Sequence, residues 1–370
     1  MTQSFEKAAG GVGPEGTLDR TPLETFILQE LEPKRHEIND WGSVKGHTRL
    51  LATTARGRRL HIQRIGGKKS RAYTLSRSGV RLGGIDEQVT TLVSHQALRA
   101  SASRELTRQY LALSDVPHLP ARTFHISQGK AAAAFMDRLG QPVSIKPSST
   151  RARGGSAANL TTAQQLAEAW ERAGAACSEL AAPRQQVDVE AFLPWVPLRL
   201  FVVGEEVVAA VARIPLYVMG DGDQTAHALA EKELHRRNSC AFLERMTNTN
   251  AHNLLESLSV DPGTVLRDGD LLVLSHDRIG QRGVGWSVDV TERISPELAA
   301  LGINATWAFP GLRASAVDML LPSLSEGHRA IVAHLEPGAD LTEFRYPAFG
   351  KAQYPNLAII QRISEAQSRE

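Results

Sequence analysis

The sequence predicts an α+β protein of three lobes: an N-terminal α/β lobe, a smaller central α+β lobe and a C-terminal lobe built on an antiparallel sheet. Three observations carry this. Strand-like and helix-like segments alternate from residue 87 onward, with short polar connections between them. Residues 187–213 read as an antiparallel meander whose last two strands are joined at Gly204-Glu205. At 370 residues, 42% hydrophobic and 22% charged, the chain is long enough and apolar enough for two or three sizeable cores. The boundaries expected are a flexible Gly-rich start over 1–20, then lobes over 21–95, 96–190 and 191–370.

Composition narrows the function classes. The start lacks a basic stretch followed by an apolar one, and no run approaches the roughly 18 apolar residues of a membrane span. Two cysteines, Cys177 and Cys240, stand in no CxxC spacing, so packing roles and a reduced, cytoplasmic compartment are expected. Net charge is only +2, yet residues 45–81 hold eleven Lys and Arg and no Asp or Glu. Strands are read there at 49–53, 59–65 and 73–75, between basic Gly-containing turns. This segment is either a solvated face or an anion-binding surface. Tyr73 alone is too little aromatic interleaving for a single-strand binder, so nucleic acid is not the expected partner.

A helix is read over 87–114, a Pro-punctuated connection over 116–124 and a second helix over 129–139. A strand at 142–146 then runs into a loop of small, basic and glycine residues, followed by a helix over 162–174 with Thr161 or Thr162 as N-cap. Lys146 at the strand end can reach a phosphate as a point charge, with Arg151 and Arg153 alongside and Gly154-Gly155 letting backbone N–H groups approach. A purely structural turn is the other reading. GxxxxGK[ST] is absent, so a nucleotide would lie between sheets and not at one helix N-terminus.

The C-terminal lobe starts with strands reaching residue 192, then 198–203 and 207–213. Arg213 closes the last of these. It faces either a cleft or, in an ion pair, the carboxylates of the loop Gly220-Asp221-Gly222-Asp223. A helix over 225–238, a polar helical stretch, a strand and a glycine loop ahead of Asp289 follow, then a helix to about 301 and the segments "AVDML" (316–320) and "EPGADLTEFRYPAFG" (336–350).

In their order these segments resemble the ATP-grasp carboxylate–amine ligases, most closely the branch containing cyanophycin synthetase and the ATP-grasp module of bifunctional glutathione synthetases. The resemblance covers about residues 87–365 and rests on "SIKPSSTRARGG" (144–155), the run 189–225, "GWSVDVTERISPE" and "AVDML". Its most specific part is R-x-P-x-x-V-x-G-D-G-x-x-T at 213–225 with Asn238 downstream. It implies two α+β lobes sandwiching ATP, Mg²⁺ as cofactor, and an acyl phosphate that an amine attacks to give an amide. By the same resemblance Arg213 holds the acyl phosphate and its oxyanion, with Arg199 facing the same site. ATP contacts fall to Arg104, Lys146, Arg151, Arg153, Gly154, Gly155 and Glu190. Substrate contacts fall to Asp221 and Asn238, and metal ligation to Asp318, His334 and Glu336.

The chain also departs from that pattern. Arg104 stands where relatives carry a phosphate-binding lysine, and Pro197 where an acidic residue holds the ribose. Val332 and His334 replace the glutamate and asparagine of the metal motif. On a regular strand Val332, His334 and Glu336 share a face, and valine and histidine are poor substitutes for the hard oxygen ligands Mg²⁺ prefers. Asp318, His334 and Glu336 can each also be ordinary polar residues. Two functions stay open: a ligase for an amino acid or small peptide, suited to specialised-metabolite assembly in a bacterium, or a catalytically degenerate relative acting as a binding or partner subunit. A homodimer or a heteromeric complex is compatible with both.

Overall fold

The computed structural model describes residues 20–365 apart from 68, 149–151, 153, 247–248 and 276–284. The Gly-rich start, Arg151, Arg153 and most of the glycine loop before Trp286 lie outside the described residues.

The N-terminal part opens with α1 (Pro22–Phe26), whose Thr21 and Glu24 form a reciprocal capping box. Next comes α2 (His47–Gly57), followed by an antiparallel sheet in the order β1 (His61–Ile65), β2 (Ala72–Arg77), β3 (Val80–Asp86), β4 (Val89–Thr90). The strand expected at 49–53 is therefore helical. His47, Leu50, Leu51 and Ala55 are buried at helical spacing, a period of 3.6 that outweighs the local β-branched threonines. The single helix expected over 87–114 is instead β4 followed by α3 (His95–Ser101) and α4 (Arg104–Leu113). Ser103 causes the break: its backbone is extended (φ −110°, ψ 117°) and its side chain caps α4 by accepting from Leu106 N–H.

The central sheet has the order β5-β8-β6-β7, from β5 (Ala121–His125), β6 (Val143–Pro147), β7 (Ala157–Leu160) and β8 (Gln186–Ala191). Helices α5 (Gly129–Leu139) and α6 (Ala163–Cys177) pack on one face around Phe124, Ile145, Val187 and Val189. Thr162 caps α6 as the sequence suggested. At Gly155 (φ 76°) an added Cβ would lie 2.9 Å from Ala173 Cα, so this glycine lets the loop press against α6.

The remaining strands are β9 (Val196–Val203), β10 (Glu206–Ile214), β11 (Tyr217–Met219), β12 (Leu271–Val273), β13 (Trp286–Asp289), β14 (Ala314–Leu321) and β15 (Ile331–Glu336). Five of them form a sheet in the order β13-β10-β9-β14-β15, and β11 pairs with β12. Helices α7 (Ala226–Ser239), α8 (Ala251–Ser257), α9 (Pro296–Trp307), α10 (Thr342–Arg345) and α11 (Pro355–Glu365) complete the chain. The expected single meander is split between two sheets. β8 pairs with β5 and β6, whereas β9 pairs with β10 and β14, and the run Phe192–Leu193–Pro194–Trp195, buried except at the half-buried Pro194, carries the chain across.

Alternation along β9 sorts its residues. Val196, Leu198, Leu200 and Val202 enter the largest core, while Phe201 and Val203 enter a second core shared with Leu50, Leu75, Ile85 and Ile360. The N-terminal sheet thus leans on the face of the five-stranded sheet that carries Phe201 and Val203. Pro197 and Arg199, on the same face as Phe201, are left over a cleft. Both cysteines are free, and among the described residues no helix is long and apolar enough to cross a membrane.

Candidate active site

The cleft lies between the central sheet and the five-stranded sheet. It is lined by Lys146 and Ser156 on one side and by Pro197, Arg213 and Asp318 on the other, with Glu190 at the crossing. Its polar groups fall into two clusters.

The first cluster belongs to the central sheet. In β8, Val187 and Val189 point into the core, so Asp188 and Glu190 share the opposite face. Lys146 of β6 is ion-paired with Glu190. Arg104 Nε lies 3.6 Å from Asp188 and its Nη1 3.9 Å from Glu190. Arg108 Nη2 reaches Asp188 at 3.3 Å, and Thr123 donates to the same carboxylate at 2.5 Å. Arg104 thus stands where a lysine was expected and keeps a cation beside Lys146. Asp188 and Arg108 were missed by the sequence reading, although an acidic residue two before Glu190 in an apolar strand is a readable signal.

The second cluster belongs to the five-stranded sheet. Arg199, 3% exposed, donates from Nε and Nη2 to the two oxygens of Asp318, both at 2.6 Å, and from Nη1 to Glu336 at 2.7 Å. Arg213 forms a fork on Glu343, with Nε at 2.8 Å and Nη2 at 2.5 Å, and its Nη1 lies 3.6 Å from Asp318. Burial alone would raise the pKa of Asp318, but Arg199 and Arg213 hold it down at about 2. Burial alone would lower Arg199, and Asp318 and Glu343 raise it instead, so it stays charged. Arg213 therefore faces Glu343 and Asp318, not the loop carboxylates. Glu343, on a four-residue helix inside the 336–350 segment, is a position to which the motif assigns no role.

The metal trio needs correction. A bulge between Met319–Val332 and Asp318–His334 shifts β15, so Val332 is buried in the core at 1% exposure while His334 and Glu336 turn toward Asp318 and Ala316. The three alternate residues do not share one face. Asp318 has both oxygens on Arg199, Glu336 pairs with the same guanidinium, and His334 offers only a ring nitrogen. Among the described residues no group of three or more His, Cys, Asp or Glu is arranged to hold a metal ion. This donor set does not fit Mg²⁺, which demands octahedral oxygen ligands. His334 has its pKa pushed down to about 3, first by burial and then by Arg104, and is neutral at pH 7.

The expected substrate contacts sit elsewhere. Asp221 is exposed and accepts from the backbone N–H groups of Gln224 and Asp223, which lowers its pKa and closes the turn. At Gly220 a Cβ would meet Arg267 O at 2.1 Å, so this turn is packed against the 264–270 segment. Asn238 accepts from Met246 N–H at 3.0 Å and anchors the chain after α7. Its neighbour Arg237 lines a second pocket, together with Trp286, Ser287, Glu343 and Arg213.

A search of the solved structures finds a bifunctional glutathione synthetase from Pasteurella multocida with a TM-score of 0.54 and 18% identity, covering 86% of this chain and 43% of that one. The chain has the ATP-grasp fold. The cleft lies between the two sheets of that fold, and its two clusters stand on opposite sides of it. A cyanophycin synthetase from Geminocystis herdmanii is 24% identical over 240 residues, 61% of this chain. The chain spans 26% of that relative's length. No protein-family model matches the chain.

Proposed function

We propose that this chain is an ATP-dependent ligase that joins the carboxylate of an amino acid or small peptide to an amine. One observation carries the reading: Arg213 lines both the cleft between the sheets and the pocket beyond it. A single guanidinium thus touches the space suited to a nucleotide and the space suited to a substrate. The relatives named above are a glutathione synthetase and a cyanophycin synthetase, which supports amide formation as the reaction class.

In this reading a substrate carboxylate oxygen attacks the γ-phosphorus of ATP, the bond to ADP breaks and an acyl phosphate forms. The amine nitrogen then attacks the acyl carbon, phosphate leaves with the C–O electron pair, and the nitrogen loses a proton to give the amide. Lys146 and Arg104 exchange their carboxylate partners for phosphate oxygens. Arg213, a rigid fork, steadies the acyl phosphate and the oxyanion that develops beside it. Glu343 occupies that fork with a carboxylate of its own, so substrate binding requires Glu343 to yield the contact. Asp318, His334 and Glu336 provide no step through Mg²⁺, and none is assigned to them.

The test is ADP release by the purified protein with ATP, MgCl₂ and pooled amino acids, with hydroxylamine present to trap an acyl phosphate as hydroxamate. Substrate-dependent ADP together with hydroxamate is the expected result. Absence of both, with no ATP binding by calorimetry, would overturn the ligase reading.

A further inference from the structure

A groove away from the ATP-grasp cleft runs between α2, the preceding segment 40–45 and the start of α11. It holds about 1370 Å³ of open space and is lined by Trp41, Lys45, Thr54, Arg345, Tyr354 and Asn356 among others. Arg345 forms its centre. The guanidinium carbon lies 4.5 Å from the ring centre of Tyr354, 4.9 Å from that of Tyr346 and 5.9 Å from that of Trp41. The rings are themselves fixed: Trp41 Nε1 donates to Pro347 O at 2.8 Å, and the Tyr346 hydroxyl accepts from Lys45 N–H at 3.0 Å. Such stacking steadies a cation but supplies no hydrogen-bond acceptor.

Two buried polar atoms here lack partners. Among the described residues Arg345 Nη1 and Asn356 Oδ1 have no hydrogen-bond partner, although Asn356 is 5% exposed and its amide nitrogen donates to Thr54 Oγ1 at 2.7 Å. A buried donor and a buried acceptor left unmade each cost free energy that a ligand can recover. Arg199, Arg213, Lys146 and Arg104 in the cleft all face carboxylates within 4.0 Å; among the described residues neither Arg345 nor Lys45 does. The rim adds exposed Tyr354 and Leu357.

We propose that this groove binds a peptide C-terminus: its carboxylate on Arg345 and Lys45, its amide N–H on Asn356 Oδ1, and an apolar terminal side chain against Trp41 and Tyr354. The chemistry required is a carboxylate and an N–H on one carbon, which a free amino acid also carries. The probe is N-acetyl-L-phenylalanine, followed by saturation-transfer NMR on the full chain in the presence of saturating ATP. Binding that persists under ATP and weakens about tenfold in both Lys45→Gln and Arg345→Gln is expected, as is a similar loss for the neutral N-acetyl-L-phenylalanine amide. Lys45 lies at the rim, so its variant keeps the test valid if Arg345→Gln fails to fold. No binding by the unaltered protein, equal binding of the amide, undiminished binding by Lys45→Gln, or displacement by ATP would each overturn the assignment. Tighter binding of free L-phenylalanine than of its N-acetyl form would overturn the peptide part.

Discussion

Lys146 and Arg213 are both cations of the cleft, but their surroundings make their removal unequal. Lys146 keeps 28% of its side-chain exposure, and its partner Glu190 has Arg104 nearby. Lys146→Ala is therefore expected to change stability by no more than about 1 kcal/mol while lowering kcat/KM roughly a hundredfold, checked by urea unfolding and steady-state kinetics. Arg213 is buried on Glu343, and Arg213→Ala leaves that carboxylate only the longer 3.3 Å contact with Arg199, at a cost of up to about 3 kcal/mol, so its activity loss would be confounded. Arg213→Lys retains the charge without the fork, and its kinetics separate the two effects. His334 gives a pH prediction. It faces Arg104, Asp318, Arg199 and Lys146, and its folded pKa of about 3 lies below the ordinary 6.5. Between those values the unfolded chain holds the extra proton, so stability falls as pH drops through that window. Asp318, at about 2 against an ordinary 3.8, adds its loss only below pH 3.8. Unfolding free energies measured from pH 6.5 to 4.5 should fall less steeply in His334→Asn; an unchanged slope would count against this account.

At the scale of elements, the bulge in β15 decides what the altered metal motif can do. Restoring the glutamate at position 332 would not restore a ligand, because the bulge turns that side chain into the core. Val332→Glu is expected to cost roughly 3–5 kcal/mol and to create no Mg²⁺ binding, measured by urea unfolding and calorimetry. A variant that folds normally and gains Mg²⁺ affinity would show that the strand regains a regular register. The same scale explains the helix break at Ser103. Residue types favour helix throughout 95–113, but a serine that caps α4 sets Arg104 in the first turn, facing Asp188 and Glu190.

For the molecule as a whole, the N-terminal sheet is packed as part of the C-terminal core. Leu50, Leu51, Leu75 and Ile85 share one cluster with Phe201, Val211, Phe344 and Ile360. Arg35 joins the parts again through Glu233, 1% exposed, which also accepts from Arg236 and Trp286. A chain of residues 96–365 should therefore expose that apolar face and aggregate or bind a hydrophobic dye; a cooperatively unfolding fragment would refute it. The two-lobe cleft, Lys146 on its strand, the Gly204 turn, the cap at Thr162 and the helix after Thr225 were legible in the sequence. These depend on local periodicity, turn chemistry and motif order, which a one-dimensional pattern carries. The crossing from β8 to β9, the bulge in β15, the placing of Glu343 on Arg213 and the Arg345 groove were decided only in three dimensions. Each brings together residues far apart in the chain, and which partner a buried charge or strand edge meets is set by packing between elements, not by its neighbours in sequence.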